Sequence, residues 1–371
     1  MEIEDRVAII TGGGGGIGSA VARRWMADGA RAVVVADRDG DAARAVGDEI
    51  GGLGVELDVT DEAAIVDLVE RVERDLGPID IFFSNAGAGG AGGGVEAPNA
   101  SWQAQWELHV MAHVYAARAV LPSMTARGEG YLVHTASAAG LLAAVGSAPY
   151  SVTKAACIKL AETIAIAHGD DGIGVSVLCP QGVNTAMAPR QLGDGGTDGI
   201  VEPEFVADVV TEAIREGRFL ILSHPEVQTY VERKAADPDR WLRGMRRLRV
   251  RSAGLLLAVG SAPYSVTKAA CIKLAEYEAI TYGDDGIGVS VLCPQGVNTA
   301  MAPRQLGDGG TDGIVEPEYV AEVVTAAVRE GRFLILPHPE VQTYVERKAA
   351  DPDRWLKGMR RLRARSVDTA S

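Results

Sequence analysis

Tyr150 and Lys154 stand four residues apart, within Tyr150-Ser151-Val152-Thr153-Lys154. On a helix that spacing puts a phenol and an ammonium on one face. A tyrosine with its ordinary pKa near 10 is a poor base at neutral pH, and a neighbouring cation favours the phenolate. Such a tyrosine can take the proton of an alcohol or return one to a ketone oxygen. Ser137, thirteen residues earlier, falls where a strand is expected to end and can hydrogen-bond the same oxygen. A Tyr–Lys pair at this spacing also occurs on ordinary helix surfaces, so the pair gains meaning only from its company.

That company begins with Thr11-Gly12-Gly13-Gly14-Gly15-Gly16-Ile17-Gly18, between a short apolar run and a helical pattern. Glycines there let backbone approach a pyrophosphate, and the helix N-terminus offers free N–H groups with partial positive charge. Asp37, 19 residues past Gly18, ends the second apolar run. A carboxylate at that place accepts ribose hydroxyls and repels a 2′-phosphate, which favours NAD over NADP, although the adjacent Arg38 softens the repulsion. Asp58-Val59 is placed to meet an adenine, or merely begins a turn. Asn85-Ala86-Gly87 follows the fourth apolar run, either bringing backbone to the cofactor or forming a structural turn.

The elements that must hold these groups alternate. The patterns predict strands over residues 6–11, 31–36, 54–57, 79–84, 131–137, 174–179 and 219–222. Between them lie helices over 17–28, 41–50, 61–76, 102–127 and 150–168. Continuous apolar strands separated by helices imply an α/β doubly wound parallel sheet, a Rossmann fold, with ligands beyond the carboxyl ends of the strands.

In order along residues 1–252, these elements resemble the short-chain dehydrogenase/reductase family. The shared elements are its Thr-Gly-x-x-x-Gly-x-Gly turn, Asn-Ala-Gly, the serine, Tyr-x-x-x-Lys and the loop Pro180-Gln181-Gly182-Val183-Asn184-Thr185. The resemblance implies NAD-dependent hydride transfer between a secondary alcohol and a ketone, with Tyr150 as general acid/base. It also implies that Lys154 holds the nicotinamide ribose, that Val183 and Thr185 meet the carboxamide, and that residues 186–203 form a flap over the substrate. The family usually has an asparagine where this chain has His109, in Leu108-His109-Val110-Met111. That asparagine helps hold a water linking the lysine to solvent. A histidine there either relays protons, with more sensitivity to pH, or is bonded to backbone with no role in turnover.

Residues 139–252 recur as 253–366 without a gap, and only 12 of the 114 positions differ. The sharpest differences are Thr163-Ile164 against Tyr277-Glu278 and Ala167-His168 against Thr281-Tyr282. Two occurrences of so long a unit are no solenoid. The expected organisation is one complete domain over 1–252 followed by an incomplete duplicate over 253–371. Tyr264, Lys268 and the loop from Pro294 to Thr299 recur, but Arg251 stands where Ser137 would and the cofactor half has no duplicate. The copy therefore cannot be an independent enzyme. The short route from Ser137 favours the first copy filling the sheet, over replacement by the second copy or exchange with another protomer.

The chain has 371 residues, 47% hydrophobic, with net charge −14. The acidic balance argues against nucleic acid or an anionic membrane as partner. No apolar run reaches a membrane span, the charged start is no signal peptide, and four scattered cysteines suit reduced thiols and no metal site. These features suggest a cytoplasmic protein with a small-molecule alcohol or ketone partner, forming a dimer or tetramer as the family implies. Leu141, Leu142, Val145 and Met187 would make the substrate fairly hydrophobic, unless they are core. The competing reading is a catalytically inactive NAD-binding regulator or scaffold, against which the retention of Ser137, Tyr150 and Lys154 counts.

Overall fold

Val7–Thr11 forms the first strand, β1, and all five of its residues are buried. An apolar strand covered on both faces needs helices on each side. The computed structural model describes residues 1–89, 92–142, 144, 147–187, 199–249, 262–298 and 313–368. After β1 come α1 (Gly16–Ala27), β2 (Ala32–Asp37), α2 (Gly40–Ile50), β3 (Leu53–Glu56), α3 (Glu62–Asp75) and β4 (Ile81–Ser84). Then α4 (Asn99–Trp106) and α5 (Ala112–Arg127) flank a π-helical turn at Glu107–Met111. β5 (Gly130–Thr135), α6 (Ala138–Leu141), α7 (Ala148–His168), β6 (Ile173–Leu178), α8 (Pro203–Glu216) and β7 (Leu220–Ile221) follow. Helices α9 (Glu226–Ala236) and α10 (Pro238–Arg249) end the first copy of the repeat.

Strands β1 to β7 form one sheet in the order β3-β2-β1-β4-β5-β6-β7, and its pairings are parallel. The winding reverses between β1 and β4, which leaves a crevice at the carboxyl ends of those strands. The doubly wound Rossmann architecture expected from the alternation is therefore present. Trp25 of α1 is fully buried, and its indole N–H donates to Thr211 Oγ1 of α8 at 3.1 Å, fastening one helical layer. Burying a ring of that size stabilises by several kcal/mol, roughly, provided its N–H is satisfied.

Several boundaries shift by one or two residues, and two of the differences have a visible local reason. β5 stops at Thr135, because Ser137 is extended and its Oγ accepts Ala139 N–H at 3.0 Å, capping α6. The long helix expected over 102–127 starts at Asn99 and carries the π turn, an extra residue per turn that periodicity does not signal.

The second copy forms α11 (Ala262–Tyr282), β8 (Val291–Leu292), β9 (Gly296–Val297), β10 (Ile314–Val315), α12 (Pro317–Glu330), β11 (Leu334–Ile335), α13 (Glu340–Ala350) and α14 (Pro352–Asp368). Its strands pair only as β11-β8 and β10-β9, among the described residues. The main sheet thus takes β6 and β7 from the first copy, and β8 has no counterpart of β5 beside it. Leu292 and Val328 of the second copy are exposed in consequence.

Candidate active site

The glycine turn lies where β1 meets α1, beside the sheet's switch point. Gly12 has φ +63°, and a Cβ there would lie 2.8 Å from Ala86 Cα. A Cβ on Gly18 would lie 2.2 Å from the Gly12 carbonyl oxygen, so only glycine permits this closeness of turn and helix. Gly15 precedes α1 without a side-chain cap, leaving the helix N-terminus open to an anion. Ile17 packs into the core beneath the turn. These features fit a dinucleotide pyrophosphate.

Asn85 locks the turn in place. Its Nδ2 donates to the carbonyls of Thr11 (3.1 Å) and Gly12 (3.2 Å), and its Oδ1 accepts Thr135 Oγ1 (3.0 Å). Thr11 Oγ1 in turn accepts the N–H groups of Asn85 and Ala86. The Asn85 side chain is thereby committed to the fold, leaving backbone to face the crevice. Asp37 Oδ2 accepts Gly14 N–H at 3.0 Å and its Oδ1 accepts Asp39 N–H at 3.1 Å, which sets the carboxylate beside the glycine turn. Asp58 caps its own turn through Thr60 N–H and Oγ1, and those bonds, with Arg38 nearby, hold its carboxyl below the usual range. Val59 beside it is buried.

α7 carries the candidate chemistry. Lys154 is buried, and its Nζ donates to the Thr135 carbonyl at 2.8 Å. Burial lowers its pKa to about 8. The ammonium lies 5.8 Å from the centre of the Tyr150 ring. Burial pushes the Tyr150 phenol up, opposed by a hydrogen bond with Ser137. The Lys154 Nζ is turned to the Thr135 carbonyl, at the end of β5.

Ser137 is set by the loop after β6. Its Oγ donates to the Pro180 carbonyl at 3.4 Å, and the same carbonyl accepts Ala138 N–H at 2.8 Å. Val183 is buried and bridges to Val201, while a Cβ on Gly16 would meet Thr185 Cγ2 at 2.9 Å. The loop therefore arches over the glycine turn. Gly182 packs against Ile200.

His109 sits in the π turn. Its Nε2 accepts Ala88 N–H at 3.3 Å, and its Nδ1 faces Thr153 Oγ1 at 3.1 Å. Thr153 donates its one proton to the Pro149 carbonyl at 2.8 Å, so Nδ1 is the protonated nitrogen of a neutral ring. Burial, then the Lys154 charge, holds His109 well below the ordinary histidine pKa. Of the two readings left open for His109, the bond from backbone Ala88 N–H to Nε2 is the one with a visible contact. Gly87 lies between His109 and Lys154; a Cβ there would be 3.5 Å from Nε2 and from Nζ.

Leu141 and Leu142 belong to the core, and Met187 is half exposed. The hydrophobic lining expected of the two leucines is thus packing. Val145, residues 188–198 of the expected flap, Arg251 and Thr299 lie outside the described residues, as does the side chain of Tyr264. Thr135, which orients both Lys154 and Asn85, escaped the sequence reading; its only signal is a polar residue closing an apolar strand. The described residues contain no cluster of three or more metal-ligating side chains, and the four cysteines are free.

A short chain dehydrogenase family profile matches residues 6–194. A 1-deoxy-11-beta-hydroxypentalenate dehydrogenase of Streptomyces exfoliatus is 36% identical over 241 residues, covering 62% of this chain and 86% of its own length. A meso-2,3-butanediol dehydrogenase of Serratia marcescens is 33% identical over 221 residues, covering 57% of this chain and 87% of its own. A solved short chain dehydrogenase/reductase from Burkholderia phymatum, in complex with NAD, superposes with TM-score 0.59 at 29% identity. That match covers 66% of this chain and 96% of the other. The chain belongs to the short-chain dehydrogenase family and is an oxidoreductase of the kind that interconverts alcohols and ketones. No described helix is long and apolar enough to cross a membrane.

Proposed function

We propose that the chain oxidises a secondary alcohol, or reduces the matching ketone, with NAD as its cofactor and Tyr150 as general acid/base. The observation that carries this reading is the convergence of Ser137, Tyr150 and Lys154 at the carboxyl end of β5, beside the glycine turn. Nicotinamide supplies hydride acceptance or donation when bound. Ser137 positions the reacting oxygen, Tyr150 takes or returns its proton, and Lys154 stands where it can hold ribose hydroxyls while fixed to Thr135. The glycine turn and α1 N-terminus hold the pyrophosphate, with Asp37 and Arg38 at the adenosine ribose and Asp58-Val59 near the adenine. Pro180, Gly182, Val183 and Thr185 face the carboxamide side. Asp37 beside Gly14 supports NAD over NADP.

Residues 1–252 are read as the unit that holds every one of these groups. His109 acts as a positioning residue, tying Ala88 of the cofactor loop to Thr153 of α7. By their names, the two curated relatives act on hydroxylated carbon compounds, which suits a secondary alcohol here. The test is a steady-state screen of secondary alcohols with NAD and with NADP, run beside direct NAD binding. Turnover with NAD that Tyr150→Phe lowers by about 10²- to 10⁴-fold supports the reading. Binding of NAD with no turnover of any alcohol or ketone overturns it in favour of a regulator.

A further inference from the structure

The contacts between the two copies come in matched pairs. Glu162 of α7 is buried between Lys159 of its own helix and Lys348 of α13. Glu276 of α11 is buried between Lys273 and Lys234 of α9. Phe219 N–H, entering β7, donates to Asp353 Oδ1 of α14 at 2.8 Å, and Phe333 N–H, entering β11, donates to Asp239 Oδ1 of α10 at 2.9 Å. Gln228 Nε2 donates to the Ala349 carbonyl at 2.8 Å, and Gln342 Nε2 to the Ala235 carbonyl at 2.7 Å. Lys234 lies over Trp241 at 4.9 Å and Lys348 over Trp355 at 4.8 Å. Leu356 joins the core cluster of Phe219, and Leu242 that of Phe333.

Each member of a pair is its counterpart moved by the repeat offset of 114 residues. Residue i of one copy meets residue j of the other, and j meets i. That is the mark of an isologous, two-fold interface. Such reciprocity does not arise when a fragment merely adheres to a domain. Removing one partner of a buried ion pair strands a charge, so Glu162 and Glu276 each depend on the opposite copy.

We infer that the second copy is a built-in partner subunit. Within one chain, the last two helices of each copy close the strand edge and bury the lysine–glutamate pair of the other, occupying a face that two separate chains would otherwise share.

A departure from reciprocity among the described residues fits the same reading. Tyr277 replaces Thr163 and is 4% exposed, and a Cβ on Gly94 would lie 3.0 Å from its hydroxyl. Gly94 belongs to residues 1–138, which have no duplicate, so Thr163 has no corresponding loop to meet. Tyr277 abuts the loop whose Gly93 pairs with Ser147 and accepts Ala148 N–H at 2.9 Å, at the start of α7.

Hydrogen exchange on the full chain tests this without needing turnover. The segments around β7 and β11 are distinguishable by mass, since Ser223 stands where Pro337 does. Asp353→Ala is expected to speed exchange at residues 219–221 by at least about fivefold and to leave 333–335 unchanged. Asp239→Ala should do the reverse. The milder pair Trp355→Phe and Trp241→Phe should show the same crossed pattern if the alanine variants fail to fold. Faster exchange in the variant's own copy, or no change at either strand, overturns the inference. So does protection at 219–221 that is lost on hundredfold dilution, because contacts within one chain do not depend on concentration.

Discussion

His109 and Tyr150 meet edge to face, their ring centroids 5.3 Å apart and their planes at 87°. The imidazole borders the phenol while both its nitrogens are engaged elsewhere, by Ala88 N–H and by Thr153 Oγ1. It therefore borders the phenol without a nitrogen to spare, and in the proposed mechanism the proton passes through Tyr150. Burial keeps its pKa well below the ordinary 6.5, so the kcat profile should show no inflection near that value. His109→Asn should leave the shape of the profile unchanged between about pH 5.5 and 8, where a titrating histidine would show. An inflection in the parent that vanishes in the variant would mean that His109 titrates during turnover.

Tyr150→Phe and Tyr264→Phe separate the two copies of the motif. The first should lower kcat by about 10²- to 10⁴-fold, since it removes the proposed general acid/base. The second should leave kcat within about twofold, because the second copy has Arg251 where Ser137 stands and no duplicate of the cofactor half. Parallel steady-state assays of the two variants check this directly.

Asp37 sits against Gly14 N–H at 3.0 Å, where its charge would face a 2′-phosphate. Asp37→Ser should raise the ratio of kcat/KM for NADP to that for NAD by at least about tenfold, a change of ~1.4 kcal/mol. A ratio that stays constant would assign cofactor choice to other residues.

Acid should weaken the fold through buried histidines. His113 Nδ1 lies 2.9 Å from His134 Nδ1, both rings are buried, and burial lowers His134 to about 4 and His113 well below its usual value. The unfolded chain takes up these protons as pH falls below about 6.5, while the folded chain resists. Their contribution is thus complete above about pH 6.5 and lost progressively toward pH 4, at ~1.4 kcal/mol per pH unit for each proton. Urea unfolding at several pH values should show that gradient. His134→Asn should flatten it by about one proton, whatever its stability at neutral pH.

The glycine turn, Asp37 and the Tyr150–Lys154 pair were legible because each is a local pattern placed at a strand end or on one helix face. The sheet was legible for the same reason, since five buried residues such as Val7–Thr11 announce a parallel strand. Other features depend on residues far away. The π turn around His109 brings the ring to Ala88 and Thr153, and no periodicity in residues 102–127 marks it. Lys159 and Glu162 look like charges on a solvated face, yet Lys348 lies 186 positions beyond Glu162 and makes their burial possible. Thr135 is one polar residue in an apolar strand until the Lys154 ammonium and the Asn85 carboxamide are seen to converge on it.

The bond from Phe219 to Asp353 spans 134 residues, and this has a consequence for a chain made from one end. At about 5–20 residues per second, ribosomal synthesis separates the two by roughly 7 to 27 seconds. Throughout that interval β7 has been made and its final cover has not. The near-identical substitute already present is Asp239, which in the finished protein faces Phe333 instead. For β7 the nascent chain thus holds an early, nearby candidate and must end with a late, distant one. The final cover of β7 can therefore be in place only after α14 has left the ribosome.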